Sequence, residues 1–140
     1  MINVMVTILD LLIKNIKMEI KWLDVCEPHT YTAAVDYLEL VIEPYIAKDI
    51  VEDIKNAPIV FKKAKDIFRA SKLKCLDDDN ERVKSNLEKI HKGKELSPVL
   101  LVVFNNKLII ADGYHRASSL RLISENELIA CKIAYYNTNK

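Results

Sequence analysis

An apolar run near the C-terminal end of the chain, followed by a turn and a second apolar run, most constrains the fold. The run from Val99 to Phe104 is rich in β-branched residues, and we predict that it forms a central strand. Asn105-Asn106 is typical of a hairpin turn, because Asn tolerates a positive φ. Leu108 to Ala111 supplies the returning strand. These residues therefore predict a β-hairpin within a sheet.

Helical periodicity dominates the first half of the chain, after an alternating stretch from Met18 to Val25 that predicts a half-buried strand. From Tyr31, apolar residues recur on one stripe with glutamates opposite, and Pro44 ends or restarts that helix. A last strand is expected at Ile129 to Ala134. Other helical stretches are expected at 46–56, 59–70, from the 76–80 loop to about 90, and at 117–123. Together they predict an α+β domain, helical first and then strand, hairpin, strand, helix, strand.

The length of the chain predicts one domain, and its net charge argues against general attraction to nucleic acid or anionic lipid. The chain has 140 residues, half of them hydrophobic, which is enough for one domain with its own core. Its 21 basic and 20 acidic residues give a net charge of +1, so no global field attracts nucleic acid or anionic lipid. Any nucleic-acid contact must come from a local patch.

We assign residues 18–140 to a single domain and residues 1–17 to an apolar N-terminal extension, with Met18 as an alternative start. The extension is shorter than a membrane span and carries three charges, so no membrane partner and no signal peptide are predicted. Cys26, Cys75 and Cys131 form no CxxC pair, which favours free thiols in a reducing cytoplasm. The oligomeric state stays open.

Ala-Asp-Gly-Tyr-His-Arg, residues 111–116, joins a strand-like run to a helix-like run. Such a turn presents free backbone N–H groups that suit an anion. Asp112 is the predicted N-cap, and Gly113 permits a tight turn or the close approach of a ligand. His115 and Arg116 fall in the first turn, where the helix dipole disfavours cations. A bound phosphate would resolve this conflict, and so would Asp112 alone, by capping the helix and pairing with Arg116.

Two segments resemble known boxes of one superfamily. Residues 90–102 resemble the "helix, Gly, Pro, apolar strand" box of the ParB/sulfiredoxin superfamily, with Gly93 and Pro98 at the corresponding places. Asp112 to Arg116 resembles the second box. The stretch from 69 to 134 covers most of the shared fold, and 22–134 also resembles a bacterial family with a DGYHR motif. The resemblance implies a small mixed sheet with helices.

Members of that superfamily bind nucleotides or phosphates over the second box, and include sulfiredoxin, the CTP-using ParB, a free-serine kinase and nucleases. The resemblance implies that Gly113 provides backbone approach, while His115 and Arg116 hold phosphate oxygens. It also implies that Tyr114 belongs to the nucleotide- or phosphate-binding residues. Asp112 would hold Mg²⁺ or orient an attacking hydroxyl, so Asp112 and His115 are the expected catalytic residues. The implied cofactor is a nucleotide (ATP, ADP or CTP) with Mg²⁺, in keeping with the charge neutralisation that phosphoryl transfer requires.

The departures from the boxes narrow the activity. Tyr114 stands where sulfiredoxin-like members carry a nucleophilic Cys, which excludes sulfinic-acid reduction. ParB-like members carry an acid and two arginines there, and helix-turn-helix residues do not follow the last strand here, so a partition role is disfavoured. We therefore expect a nucleotide- or phosphate-binding domain acting as a Mg²⁺-dependent phosphotransferase or nuclease. The alternative is a non-catalytic nucleic-acid- or protein-binding module.

Other candidates have ordinary explanations as well. Lys92 and Lys94 flank Gly93 and could face the same phosphate or be solvated; we include Lys94 in the predicted site. Glu27 and His29 lie in a loop and could serve as base or metal ligands, or as surface residues. The basic residues between 62 and 72 could follow a nucleic-acid backbone, or form a solvated helix face.

Overall fold

A four-stranded mixed sheet forms the centre of the protein in this computed structural model, which describes residues 19–138. Its strands are β2 (Val60–Lys63), β4 (Val99–Phe104), β5 (Lys107–Asp112) and β6 (Leu128–Tyr136), in the order β2-β6-β4-β5. β4 runs parallel to β6, and the other two pairings are antiparallel. A separate parallel pair joins β1 (Lys21–Trp22) to β3 (Glu95–Leu96).

Five helices of the described chain cover the two faces of this sheet. They are α1 (Pro28–Leu38), α2 (Pro44–Asn56), α3 (Ala64–Ser71), α4 (Glu81–His91) and α5 (Tyr114–Ile123). The apolar residues of α1 and α2 form one core cluster with one face, and those of α3, α4 and α5 form a second cluster with the other. The predicted α+β class is confirmed.

β4 is apolar throughout because both of its faces are buried. Leu100 and Val102 pack with α1 and α2, whereas Val99 and Leu101 pack with the helices on the opposite face. All four side chains are almost completely inaccessible to solvent. The predicted central strand is therefore confirmed, and it lies between β6 and β5 in the sheet.

The hairpin from β4 to β5 forms as predicted, with φ values of 49° at Asn105 and 68° at Asn106. At its far end the register shifts: Leu100 pairs with Asp112, but Leu101 pairs with Ile110. One extra residue of β5, Ala111, is thereby accommodated as a bulge, which bends a strand and re-aims the side chains beyond it.

Three predicted boundaries differ from the structure. Met18 lies outside the described residues; in the rest of the strand expected from Met18 to Val25, β1 has only two residues, because its partner β3 has only two residues before Ser97 and Pro98. The first helix ends at Leu38, short of the rest of its apolar stripe, and turn residues lead to Pro44. The stretch predicted from 59 begins as β2, which pairs with β6, before α3 starts.

Two further expectations concern the thiols and the membrane. Cys26, Cys75 and Cys131 are free, and Cys26 and Cys131 are buried. In the part of the chain that the structure describes, helices long and apolar enough to cross a bilayer are absent. The predicted extension at 1–17 lies outside the described residues.

Candidate functional site

The turn between β5 and α5 depends on Gly113. This residue occupies the N-cap of α5 with φ 106° and ψ 18°, a left-handed conformation that favours glycine. A Cβ atom added there would lie 2.9 Å from Arg116 Nη2 and 2.9 Å from Val99 Cγ2. Gly113 therefore provides the tight turn that its sequence context predicts.

Asp112 is not the N-cap, and this part of the prediction was wrong. The bulge in β5 and the left-handed Gly113 place Asp112 at the end of the strand, one residue before the cap position. No side chain caps α5, so the N–H groups of its first turn have no side-chain acceptor. The Asp112 Oδ2 atom instead lies 3.3 Å from Arg116 Nη2.

Arg116 is held over the turn by two acceptors. Its Nη2 atom donates to the Pro98 carbonyl at 3.2 Å as well as to Asp112. The Arg116 side chain is only 17% exposed, so most of it is covered by neighbouring atoms. Its Nε atom is the one buried side-chain nitrogen or oxygen in residues 19–138 without a hydrogen-bond partner. Most buried polar side-chain atoms in native proteins have a hydrogen-bond partner, so this nitrogen is an exception.

His115 is partly buried beside a cation from another helix. Burial lowers the pKa of His115, the charge of Arg82 lowers it further, and Asp112 acts in the opposite direction. The imidazole is therefore neutral at neutral pH. The buried Ser119 hydroxyl, 2.8 Å from the His115 carbonyl and 3.2 Å from the Val83 carbonyl, joins α5 to α4.

A pocket of about 360 Å³ opens between these two helices, and we call it the α4/α5 pocket. The polar lining residues of α4 are three or four positions apart in the sequence, so they lie on one face of that helix. The described lining residues include three cations, Arg82, Lys89 and Arg116. They include only one carboxylate, that of Asp112. The lining consists of His29, Arg82, Ser85, Asn86, Lys89, Asp112, Gly113, His115 and Arg116.

Known proteins give no guide to this pocket. No family model, curated protein or solved structure matches the chain. The case for a function therefore depends on the arrangement of the side chains themselves.

Four of the lining residues belong to α4 and were missed by sequence reasoning. Arg82, Ser85, Asn86 and Lys89 lie beside the apolar stripe of the same helix. Their spacing was visible in the sequence, but most such faces are only solvated. This spacing does not show that α4 packs against α5, and that packing is what brings these residues to the pocket.

Tyr114 and Lys94 are predicted site residues whose side chains do not line the pocket. The Tyr114 ring packs near Phe68, with 6.5 Å between ring centroids, and its hydroxyl donates to the Lys74 carbonyl. Lys94 is exposed beyond the end of α4, near Glu88. The remaining predicted residues, Asp112, Gly113, His115 and Arg116, all line the pocket.

The two weaker candidates from the sequence, the Glu27/His29 loop and the basic residues between 62 and 72, differ in their relation to the pocket. His29 lines the α4/α5 pocket from the first turn of α1, with its Nδ1 atom 3.4 Å from Glu27 Oε2. In the basic cluster, Arg69 pairs with Asp66 at 2.9 Å. Two phenylalanines lie next to these basic residues in the sequence: Phe68 is buried, while the side chain of Phe61 on β2 is exposed.

A divalent cation would find one carboxylate in this pocket. Within residues 19–138 no group of three or more His, Cys, Asp or Glu side chains is placed to hold a metal. Mg²⁺ is usually held by one or two carboxylates together with water and substrate phosphates. Asp112 fits the role of that single protein ligand, provided that a phosphate supplies further oxygens.

Proposed function

We propose that this chain is a ParB/sulfiredoxin-like domain that binds a nucleotide or phosphate ligand in the α4/α5 pocket. The observation that carries the proposal is the convergence of Arg82, Lys89 and Arg116 from two helices on one small pocket. Like charges repel, so a chain gains little stability by collecting three cations in one place. A bound phosphate would compensate them through charge-assisted hydrogen bonds.

The backbone supports the same ligand. The first turn of α5 faces the pocket through Gly113, His115 and Arg116, and its N–H groups have no side-chain cap. Helix N-termini bind anions because free N–H groups and the helix dipole act together. A phosphate here would replace the acceptor that Asp112 does not supply.

The contact between Arg116 and Pro98 supports the superfamily assignment. Each residue belongs to one of the two boxes, and the guanidinium donates to the proline carbonyl at 3.2 Å. The two boxes thus meet at one point, at the beginning of β4 and the first turn of α5. Such a meeting is what a shared phosphate site would require.

The reaction we propose is phosphoryl transfer or phosphodiester cleavage with Mg²⁺. When bound, the cation would neutralise developing charge on phosphate oxygens. Neutral His115 is suited to accept a proton from an attacking hydroxyl or water. Asp112 would orient that group or ligate the cation, and Arg116 would hold a phosphate oxygen.

Isothermal titration calorimetry tests this proposal. ATP, ADP, CTP and inorganic phosphate are titrated with and without Mg²⁺ into wild-type protein, Arg116→Ala and Lys84→Ala. Lys84 is exposed on α4 outside the pocket lining and serves as the matched loss of a cation. We expect binding that is lost in Arg116→Ala and kept in Lys84→Ala. Absence of binding to all four ligands would refute the proposal.

A non-catalytic nucleic-acid-binding module is the second candidate, and one observation favours it. The edge strand β2 exposes Phe61 beside Lys62 and Lys63, which combines a stacking ring with phosphate-binding charges. This candidate predicts RNA or DNA binding that weakens steeply with salt, survives Asp112→Asn and is lost in Phe61→Ala. Binding that instead requires Arg116 would exclude β2 as the site.

A further inference from the structure

We infer that the α4/α5 pocket takes the phosphate monoester of a small hydroxylated molecule, and that it makes no contact with a nucleobase. This inference rests on the proposed function, since it specifies the ligand of the same pocket. It is drawn from three properties of the lining: its side-chain types, its charge and the position of its one carboxylate.

The lining offers a base little apolar or aromatic surface. Its described residues include no aliphatic side chain and, apart from the imidazoles of His29 and His115, no aromatic ring. Sites for drug-sized or nucleoside-like ligands are mostly apolar, and bases are commonly held by stacking. The nearest tyrosine along the chain, Tyr114, does not line the pocket: its ring lies 5.9 Å from the His115 ring and 6.5 Å from the Phe68 ring, and its hydroxyl donates to the Lys74 carbonyl.

The charge of the lining matches one phosphate group. The three cations and the one carboxylate of the lining together leave two net positive charges. A phosphate monoester carries about 1.5 to 2 negative charges at pH 7. The pocket's own side chains therefore balance a monoester, whereas a di- or triphosphate chain brings more charge than they neutralise.

Asp112 determines what can lie beside that phosphate. Its carboxylate repels a second phosphate, but it can accept hydrogen bonds from hydroxyl groups. On α4, Ser85 and Asn86 supply further neutral donors and acceptors between Arg82 and Lys89. A phosphate bound by the cations thus has a hydroxyl-binding wall next to it, as a sugar phosphate requires.

A comparison of ribose 5-phosphate with AMP isolates the contribution of the base. Both are 5′-phosphate monoesters of ribose, and AMP carries adenine in place of the anomeric hydroxyl. We expect their dissociation constants, measured by calorimetry without metal, to agree within about threefold. ATP should bind no more tightly than either of them.

A base-dependent result would overturn this inference alone. A stacked base contributes about tenfold or more in affinity, so AMP binding more than about tenfold tighter than ribose 5-phosphate would show a base contact. If ribose 5-phosphate, AMP, ATP and inorganic phosphate all fail to bind, the proposed function itself is wrong.

Two variants locate the binding within the lining. Lys89→Ala should weaken ribose 5-phosphate and inorganic phosphate to the same extent, whereas the exposed Lys84→Ala on the same helix should weaken neither. Asp112→Ala should weaken ribose 5-phosphate relative to inorganic phosphate, because only the sugar has hydroxyls to donate. An equal response of the two ligands to Asp112→Ala would contradict the hydroxyl-binding role. Circular dichroism of each variant verifies that it is folded.

Discussion

The Asp112 carboxylate lies 3.3 Å from the Arg116 guanidinium across the turn from β5 to α5. The two side chains are 23% and 17% exposed, so the pair is partly screened from water. The contact holds Arg116 at the pocket while neutralising part of its charge. Asp112 therefore favours the orientation of Arg116 but weakens its attraction for an anion.

Asp112→Asn separates these two effects. The amide keeps the size of the side chain and one oxygen for Arg116, but it removes a negative charge from the pocket. We expect phosphate affinity to rise by about fivefold, and the free energy of unfolding to fall by about 1 kcal/mol because the pair is only partly buried. Calorimetry and urea denaturation measure the two changes. Weaker phosphate binding in Asp112→Asn would contradict this account.

Gly113→Ala should destabilise the fold through both strain and contact. The residue has φ 106°, and the new Cβ would meet Val99 and Arg116 at 2.9 Å. We expect a loss of about 2–3 kcal/mol in the free energy of unfolding. Gly93→Ala is the control, since Gly93 also has a positive φ, 71°, but its nearest neighbouring atom is 3.8 Å away. Similar losses in the two variants would mean that the contacts at Gly113 contribute nothing.

His115 should make stability depend on pH. Its pKa is lowered in the folded protein, first by burial and then by Arg82. Below the ordinary pKa of 6.5 the unfolded chain therefore binds the proton more readily, and stability falls as the pH decreases. Well above pH 6.5 His115 is neutral in both states, and its protonation no longer lowers the free energy of unfolding.

Denaturant midpoints between pH 7.5 and 5 measure this dependence. The wild type should lose more stability over the interval than His115→Gln does. Arg82→Gln should lose less than the wild type, because removal of the cation lets the pKa of His115 rise. Identical pH profiles for wild type and His115→Gln would show that His115 is not the responsible group.

Asn80→Ala should remove the N-cap of α4. The Asn80 side chain accepts hydrogen bonds from the backbone N–H groups of Arg82 at 3.0 Å and Val83 at 3.2 Å. We expect a loss of about 1 kcal/mol in thermal or urea unfolding, and Asn80→Asp should keep the wild-type stability. An Asn80→Ala variant as stable as the wild type would contradict the capping role.

Tyr114→Phe tests whether Tyr114 belongs to the binding site. Its hydroxyl donates to the Lys74 carbonyl and does not line the α4/α5 pocket. We expect the free energy of unfolding to fall by about 1 kcal/mol and phosphate affinity to remain unchanged. A large loss of affinity would place the Tyr114 hydroxyl at the ligand.

Elements set by local rules were predicted correctly. The β4–β5 hairpin follows from an apolar run and two residues that tolerate positive φ. Gly113 follows in the same way, because few other residues adopt its backbone conformation. The cap of α5 was not predictable locally, since a bulge that depends on the register between β4 and β5 moved Asp112 out of the cap position.

By itself, the sequence determined the α+β class, the hairpin and the glycine turn. It also singled out five of the residues that line the pocket, His29 and four of those from Asp112 to Arg116. Only the tertiary structure decided that Arg82 and Lys89 lie opposite Arg116, and that Tyr114 and Lys94 do not line the pocket. The reason is physical: backbone conformation depends on neighbouring residues, whereas the charge of a pocket depends on which helices pack together. The hydrogen bond from Ser119 on α5 to the Val83 carbonyl on α4 supports that packing. The packing brings Arg82 and Lys89 to the same pocket as Arg116.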